Sequence, residues 1–333
     1  MPKLSVIMPV YNGGLFLGLA VESILKQTWI DFELIIIDDG STDRSADVIR
    51  SFRDQRIVLI DRMKNEGVVV SANQGLKLAR GQYIARMDQD DISVVHRFER
   101  QVEFLDAHPS VGLVGSSYVL IDDQGKVLRR RELKTRDADI KKALWEEHQF
   151  CHGAVMYRKA CLDQVGLYRD RVRYAEDYDL FFRIAEKWEV ANISEPLYQL
   201  RMNLQSISSV NRFEQIRHAE LVKILARQRQ NASKDDLDDL SEKDFTRRLN
   251  QILPQNRANE QKVFSQNFFH YADLFYAAGN YAQARQWIGQ SLKYRRTSLK
   301  IWILAVKIFM CCWGAEKIVG FLRRLRKQER VCA

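Results

Sequence analysis

The sequence has few of the residues that build disulfide scaffolds, zinc sites and disordered linkers. It contains five cysteines, an odd number, and no Cys-x-x-Cys pair occurs among them. This pattern disfavours a disulfide framework and a structural zinc site, and it favours a reducing cytoplasm as the location. Only 5 prolines and 16 glycines occur in 333 residues, which argues against long disordered linkers.

Long uninterrupted hydrophobic runs are also missing. The apolar start, M-P-K-L-S-V-I-M-P-V, is short, and we expect it to form a strand rather than a signal peptide. The apolar stretch 299–315 carries Lys300 and Lys307, which makes it a poor membrane-spanning segment. Hydrophobic residues make up 46% of the chain and charged residues 29%, the composition of a globular protein with a core. Its length predicts two domains, or one large domain with an appendage.

The net charge of +9 is concentrated at one end of the chain. Residues 290–333 hold eleven Lys and Arg against two Glu, so this segment carries the whole excess and the remainder is balanced. A local basic block beside tryptophan and phenylalanine suits an anionic lipid surface. We identify no nucleic-acid recognition module, so nucleic acid is not an expected partner.

Strands and helices alternate through the first third of the sequence. The predicted strands are Leu4–Pro9, Phe32–Ile37, Ile57–Ile60 and a strand that begins at Tyr83. The segments between them show helical periodicity over Leu15–Gln27, Ser45–Arg53 and Val68–Ala79. The pattern predicts an α/β fold with a mostly parallel sheet flanked by helices, which binds ligands at the carboxyl ends of its strands.

Acidic residues follow two of these strands. Asp38 and Asp39 close the second strand, and Asp88, Asp90 and Asp91 close the fourth. Carboxylates this close repel one another, so a divalent cation between them is expected, and oxygen ligands suit Mg²⁺ or Mn²⁺. The alternative is a solvated acidic turn that opens the next helix.

The rest of the chain changes character near residue 210. Glu189–Asn192 and Leu197–Leu200 are predicted as edge strands, and Asn231–Lys243 as a polar linker. Residues 261–325 are predicted to be helical, and Tyr-x-x-x-Gly-x-Tyr-x-x-Ala within them resembles the turn of a tetratricopeptide hairpin. We therefore expect a catalytic domain over residues 1–210 and a helical C-terminal region over 211–333.

Five motifs, in order, resemble one enzyme family. They are S-V-I-M-P-V-Y-N-G, I-I-I-D-D-G-S-T-D, the G-V-V-V-S-A-N to R-M-D-Q-D-D stretch, C-H-G-A-V-M-Y-R and A-E-D-Y-D-L-F-F-R. Together they are similar to the family-2 inverting glycosyltransferases with a GT-A fold, over about residues 4–210. The resemblance implies an enzyme that moves a sugar from a nucleoside diphosphate, UDP being favoured, to a glycan or lipid-linked saccharide in surface polysaccharide synthesis.

The resemblance also implies which residues bind the donor. Relatives hold the nucleoside with the loop after strand one and the acid after strand two, and further polar residues approach the base and the diphosphate. The residues at these positions are Pro9, Val10, Tyr11, Asp39, Asn65, Gly67, Ser71 and Asn73. Asp88 and Asp90 match the family's Asp-x-Asp motif. Asp90 is expected to bind the Mn²⁺ or Mg²⁺ and Asp88 to contact ribose or metal, while Arg86 either contacts phosphate or pairs with these acids.

Asp177 matches the family's catalytic base. A carboxylate on the acceptor side can remove the proton of the attacking hydroxyl. The alternative role of Glu176-Asp177 is to cap the next helix, and both roles can hold together. Glu176 and His152 are further acceptor-side or sugar-side candidates, although a lone histidine is more often structural. Many relatives have Arg-x-His where this chain has Arg201-Met202-Asn203, so its metal affinity or metal choice can differ.

Three questions stay open at this level. The basic C-terminal segment is either a helical hairpin with a solvated end or a contact through residues 299–330 with the inner face of the cytoplasmic membrane. A sugar nucleotidyltransferase is a rival enzyme class, although the loop V-Y-N-G-G-L lacks the basic residues such an enzyme uses. A non-catalytic binding protein, with the helices as its working part, is the second rival.

Overall fold

The computed structural model describes residues 1–203, 210–295 and 297–312. Its centre is one mixed sheet with the order β3-β2-β1-β4-β8-β6-β9-β5, and β7 pairs with β6. The strands are β1 Leu4–Val10, β2 Phe32–Asp38, β3 Ile57–Asp61, β4 Tyr83–Arg86, β5 Ile92–Ser93, β6 Val111–Ile121, β7 Val127–Arg131, β8 Met156–Arg158 and β9 Glu189–Arg201.

The first four strands, β1 to β4, form a parallel half-sheet. β1 pairs in parallel with β2 and β4, and β2 pairs in parallel with β3. Every residue of β1, β2 and β4 is buried. Strands covered on both faces need continuous apolar sequences, which explains why this half could be predicted from the sequence. The acidic segments after β2 and β4 therefore emerge at the same edge of the sheet.

The other half is mixed, and one prediction about it is wrong. β8 runs antiparallel to both β4 and β6, whereas β9 runs parallel to β6. The two predicted edge strands, Glu189–Asn192 and Leu197–Leu200, are parts of the single strand β9, which lies between β6 and β5. The pairing register of β9 shifts near Pro196, so the proline sits at an irregularity instead of ending the strand.

Helices connect the strands and follow them. Those of the sheet region are α1 Leu17–Leu25, α2 Ser45–Ser51, α3 Val68–Leu78, α4 Arg97–Ala107, α5 Asp137–Ala143, α6 Lys159–Val165 and α7 Glu176–Ala185. Those that follow are α8 Arg212–Ala232, α9 Glu242–Ile252, α10 Arg257–Ala277, α11 Tyr281–Tyr294 and α12 Leu299–Cys312. The α/β fold predicted from the sequence, with helices at the C-terminal end, is confirmed.

The chain divides into two compact units. The first comprises Met1–Met202 and Arg217–Leu249, and the second Asn203–Ile216 and Asn250–Ala333. The predicted domain boundary at residue 210 stays a prediction. Asn231–Lys243 is not the solvated linker that its composition suggested, because Asp235 and Leu237 are buried and Asp235 accepts hydrogen bonds from Arg169 and Arg229.

In the second unit, α10 and α11 are joined by a turn at Ala278–Asn280. Gly279 adopts a φ of 75°, and the side chain of Asn280 accepts a hydrogen bond from the Gln283 amide at the start of α11. Trp287 is buried against Phe268, Tyr271 and Phe275. Across the residues that the structure describes, no helix is long and apolar enough to span a bilayer.

Candidate active site

The acidic turn after β4 holds three carboxyl groups at the edge of the sheet. Asp91 is buried, while Asp88 and Asp90 are half-buried. Burial and the neighbouring Asp88 carboxylate raise the pKa of Asp90 to about 6. Burial, followed by Asp90 and Asp88, also raises the pKa of Asp91. The turn therefore carries unfavourable charge repulsion that a bound cation would relieve.

Arg86 lies beneath this turn and is almost fully buried. Its Nη2 is 3.0 Å from Oδ1 of Asp88, and its Nη1 donates to the carbonyls of Ile7 and Met87. Burial opposes the guanidinium charge, but Asp88 and nearby tyrosine hydroxyls leave the pKa of Arg86 above its usual value. In this structure Arg86 is the charge partner of Asp88, which was one of its two predicted roles.

Arg201 holds the other side of the turn. Its backbone amide donates to Oδ1 of Asp91 at 2.8 Å, and its Nε donates to the carbonyl of Asp90 at 2.9 Å. Its guanidinium lies 4.2 Å from the ring centroid of Phe16. Arg201 therefore fixes the backbone of the acidic turn from the end of β9.

Gln89 connects the acidic turn to the loop after β1. Its Oε1 accepts a hydrogen bond from the Tyr11 amide at 2.8 Å, and its Nε2 donates to the Tyr11 carbonyl at 3.1 Å. The side chain of Tyr11 remains exposed. Pro9 and Val10, the other two donor candidates of this loop, are buried in the last residues of β1. These two hydrogen bonds set the position of the β1 loop relative to Asp88 and Asp90.

Asp39 organises the loop that precedes α3. Its two carboxylate oxygens accept hydrogen bonds from the amides of Glu66 (3.1 Å) and Gly67 (2.8 Å). Arg62 Nε lies 3.6 Å from Asp39 Oδ1. Gly67 has a φ of 96°, which a residue with a side chain rarely adopts. Asp39 is buried, and its hydrogen bonds fix the backbone of the loop before α3.

Three other predicted donor residues differ in their surroundings. The side chain of Asn65 accepts a hydrogen bond from the Gly67 amide and lies in an exposed loop. Ser71 is fully buried, with its Oγ 3.3 Å from Arg62 Nη1. Asn73 donates to the Tyr168 carbonyl and accepts from the Tyr168 amide, so its amide group holds the loop before α7.

Glu176 and Asp177 lie in the first turn of α7. A helix N-terminus stabilises negative charge, which suits an ionised carboxylate here. Oδ1 of Asp177 accepts a hydrogen bond from the Tyr178 amide, and its Oδ2 is 3.9 Å from Nδ1 of His148. Burial and the Asp177 charge raise the pKa of Glu176 well above its usual range.

His152 lies between the acidic turn and α7. Its Nε2 is 2.8 Å from Oη of Tyr168, which in turn is 2.9 Å from Oη of Tyr157. Burial lowers the pKa of His152, and the carboxylates of Asp177 and Asp88 oppose that effect. The His152 ring also lies 6.3 Å from the ring of Phe181 on α7, the helix that carries Asp177.

Gly153 follows His152 and allows close packing at the same place. A Cβ atom added to Gly153 would lie 2.0 Å from Oη of Tyr198 and 2.9 Å from Oδ2 of Asp88. The Tyr198 hydroxyl also accepts a hydrogen bond from the Asp88 amide at 3.3 Å. The glycine of C-H-G-A thus lets β9 and the acidic turn approach each other.

Sequence reasoning missed several residues that build this site. Gln89 lies inside the acidic motif, but its partner Tyr11 is 78 positions away. Arg201 was noted only as the start of the altered Arg-Met-Asn sequence. Tyr198 and His148 lie in segments without a recognisable motif. The alternation of β9 could have indicated an inward Tyr198, whereas the isolated His148 gave no such indication.

The acidic turn fits a divalent cation that is bound together with its substrate. No group of three His, Cys, Asp or Glu side chains within residues 1–203, 210–295 and 297–312 forms a complete metal cage. Asp88 and Asp90 offer hard oxygen donors, and burial and the Asp88 charge raise the pKa of Asp90. Mg²⁺-type sites commonly use one or two carboxylates and take their other ligands from phosphates and water.

The sequence matches a known family and its members. The family model "Glycosyl transferase family 2" matches residues 5–166. EpsE of Bacillus subtilis, named as a glycosyltransferase, is 36% identical over 206 residues, covering 60% of this chain and 73% of EpsE. The amylovoran biosynthesis glycosyltransferase AmsE of Erwinia amylovora is 31% identical over 202 residues, covering 59% of this chain and 75% of AmsE.

Solved structures show the same fold at low sequence identity. TarS 1–349 of S. aureus, in complex with UDP-GlcNAc, has a TM-score of 0.54 and 18% identity, covering 92% of this chain and 90% of that one. The mannosyltransferase PcManGT of Pyrobaculum calidifontis, in complex with GDP-Man and Mn²⁺, has a TM-score of 0.52 and 18% identity, covering 94% and 81%. From these matches and the fold, the chain belongs to glycosyl transferase family 2 and is a glycosyltransferase.

Proposed function

We propose that the chain transfers a sugar from a nucleoside diphosphate, UDP being favoured, to a hydroxyl of a glycan or lipid-linked saccharide, with inversion at the anomeric carbon. The observation that carries this proposal is the position of the His152-Gly153 segment: Gly153 packs against Asp88, and the His152 ring lies 6.3 Å from the ring of Phe181 on the helix that carries Asp177. One acid ends a strand and the other begins a helix. A sugar between them would have its leaving group on one side and a base on the other.

The reaction is a single displacement. Asp177 accepts the proton of the acceptor hydroxyl, the hydroxyl oxygen forms a bond to the anomeric carbon, and the bond from that carbon to the diphosphate oxygen breaks. The bonding electrons leave with the nucleoside diphosphate. Because attack and departure occur on opposite faces, the anomeric configuration inverts.

The acidic turn supports binding of the departing diphosphate. Asp90 would hold Mn²⁺ or Mg²⁺, with Asp88 beside it, and the ion when bound would neutralise the charge of the leaving diphosphate. Arg86 holds Asp88 in place, and Arg201 and Gln89 fix the turn against β9 and the β1 loop. The nucleoside would lie along Tyr11 and the Asp39-supported loop.

The names of the similar proteins support the substrate classes. AmsE is named for the biosynthesis of amylovoran, which favours a role in polysaccharide synthesis. The two solved neighbours are complexes with UDP-GlcNAc and GDP-Man. These ligands support a nucleotide-sugar donor, and the bound Mn²⁺ of the second supports a divalent ion.

The test compares two isosteric Asp→Asn substitutions. Asp177→Asn removes the base and should lower transfer by roughly 10²–10⁴-fold, while the nucleotide sugar still binds. Asp170→Asn is the matched control, because Asp170 lies in an exposed pair with Arg173 and has no proposed role in the site, and it should keep most activity. Release of the nucleoside diphosphate is measured in the presence of Mn²⁺. Full activity of the Asp177→Asn variant would remove Asp177 from this role.

We also propose that α12 contacts the inner face of the cytoplasmic membrane. Leu299, Ile303 and Met310 are 74%, 48% and 56% exposed, and the exposed Lys300 and Lys307 accompany them on the helix. An apolar row with lysines suits an anionic bilayer surface. The remainder of the basic segment assigned to this contact, residues 313–330, lies outside the described residues.

Vesicle flotation tests the membrane contact. The chain should float with vesicles rich in phosphatidylserine and not with phosphatidylcholine vesicles, because roughly 1 kcal/mol is expected for each basic residue near an anionic surface. The Lys300→Glu/Lys307→Glu variant should float less. A Lys243→Glu/Lys262→Glu variant is the charge-matched control. Equal flotation of both variants would contradict the proposal.

A further inference from the structure

A short segment before His152 places a second polar group beside Asp177. His148 lies in this segment, with its side chain 43% exposed and the side chain of Asp177 19% exposed. The His148 ring stacks on the ring of Tyr178, with centroids 4.1 Å apart and an interplanar angle of 25°. The stacking holds the imidazole next to the first turn of α7 while leaving part of it open.

The segment around His148 is anchored on both sides. The Tyr178 hydroxyl donates a hydrogen bond to the carbonyl of Leu144, and the Asn192 side chain donates to the carbonyl of Gln149 at 2.8 Å. Phe150 packs on Phe181, another α7 residue, with ring centroids 5.1 Å apart. The position of His148 relative to α7 is thus set by contacts before it, after it and under it.

The distance between His148 and Asp177 is the informative quantity. Nδ1 of His148 and Oδ2 of Asp177 are 3.9 Å apart, which is too long for a direct hydrogen bond. A single oxygen atom can lie within hydrogen-bond distance of both groups, as a bridging water does across such gaps. A hydroxyl oxygen placed beside the line that joins the two atoms can therefore make a hydrogen bond to each of them.

We propose that the attacking hydroxyl binds against both His148 and Asp177, and that His148 orients it. A hydroxyl has one proton to donate and two lone pairs to accept with. When Asp177 accepts the proton and the Nδ1–H of His148 donates to one lone pair, the second lone pair is left to attack the anomeric carbon. His148 thereby restricts the nucleophile to the orientation that the displacement needs.

This inference rests on the proposed function and adds a second residue to its acceptor side. The transferred atoms are unchanged: the proton goes to Asp177, the oxygen bonds to the anomeric carbon, and the diphosphate leaves with the electron pair. In the absence of a saccharide, water occupies the gap and the same arrangement hydrolyses the donor. Hydrolysis therefore reports on His148 without knowledge of the natural acceptor.

The experiment measures nucleoside diphosphate release by the full chain with Mn²⁺ and a panel of UDP-, GDP- and dTDP-sugars, with water as acceptor. His148→Phe keeps a stacking ring and removes the donor, so kcat should fall roughly tenfold, the loss for one oriented hydrogen bond. His148→Asn places an amide N–H near the former Nδ1 and should restore kcat to within about threefold. Binding of UDP and Tm should stay unchanged in both variants.

The control is His108→Phe. His108 is also an exposed histidine stacked on an aromatic ring, that of Phe104 at 4.2 Å, and its substitution should leave kcat unchanged. If His148→Phe behaves like His108→Phe, or if His148→Asn is as impaired as His148→Phe, the inference is wrong while the proposed function stands. If the unmodified chain releases no nucleoside diphosphate with water as acceptor, the inference is wrong, whereas transfer to a saccharide is judged separately by the Asp177→Asn comparison.

Discussion

The proposed donor and acceptor sides of the candidate active site are held in different ways. On the donor side, buried arginines contact the acidic turn itself: Arg86 pairs with Asp88, and Arg201 binds the turn at Asp90 and Asp91. On the acceptor side, the arginines contact Asp179 of α7, two residues after Asp177. Donor-side substitutions should therefore change ligand binding, and substitutions behind the acceptor side should change stability.

The support behind α7 is a buried network of charges. Asp179 is fully buried and accepts hydrogen bonds from Arg169 and from Arg183, whose Nε atoms each lie 2.9 Å from its Oδ2. Arg169 also binds Asp235, which binds Arg229 of α8. This network therefore connects α8 to α7, the helix that carries Asp177.

The largest expected effect comes from breaking this network. Asp179→Asn leaves Arg169 and Arg183 without their shared carboxylate and should lower the free energy of unfolding by roughly 3–5 kcal/mol. Urea denaturation measures the loss. Asp170→Asn is the control, because Asp170 forms an exposed pair with Arg173 that is worth about 0–1 kcal/mol. Equal stability of the two variants would show that the network does not support α7.

The next largest effect concerns Asp90, whose substitution should change stability and ligand binding in opposite directions. Asp90→Asn removes repulsion from the acidic turn, so it should raise the Tm of the metal-free chain near neutral pH. It should also weaken binding of Mn²⁺ with UDP by at least roughly 10–100-fold, the loss that already follows when a partner behind a metal ligand is removed. Calorimetric titration measures the binding. Asp163→Asn, at an exposed position on α6, should change neither quantity.

The raised pKa of Asp90 also predicts that the stability of the metal-free chain depends on pH. The pKa of Asp90 is raised from 3.8 to about 6 on folding, so the folded chain binds this proton more tightly than the unfolded chain does. Stability of the metal-free chain should therefore fall as pH rises from about 4 through 6. The Asp90→Asn variant should lose this part of the decline. An unchanged pH profile in the variant would contradict the assignment.

The smallest effect concerns the link between the β1 loop and the acidic turn. Gln89→Ala removes both hydrogen bonds to Tyr11 and should raise KM for the nucleotide sugar roughly 3–10-fold, with a smaller change in kcat. Gln82→Ala, at an exposed position before β4, is the control. If KM stays the same in both variants, Gln89 does not set the donor loop.

The parallel half of the sheet could be predicted closely from the sequence. Predicted and observed ends of β1 and β2 differ by one residue, because strands buried on both faces have continuous apolar sequences that end at polar loops. The placement of the acids after β2 and β4 at one edge followed from the same pattern. The local sequence was sufficient to predict these strands because each strand is one continuous run of apolar residues.

The acceptor side was less predictable because its contacts are remote in sequence. Asp235 lies in an acid-rich stretch typical of a linker, and only its partner Arg169, 66 positions away, explains its burial. β9 contains a proline, which sequence reasoning takes as a break, whereas the shifted pairing with β6 absorbs it. The assignments of individual residues to donor, metal and base roles stay predictions.

The stereochemistry of the product tests the central claim most directly. A donor with a known anomeric configuration is supplied with Mn²⁺, and the configuration of the new glycosidic bond or of the freshly hydrolysed sugar is read by proton NMR. The proposed single displacement, with Asp177 as the base and the nucleoside diphosphate as the leaving group, predicts inversion. Retention of configuration would require a second displacement and would contradict the account.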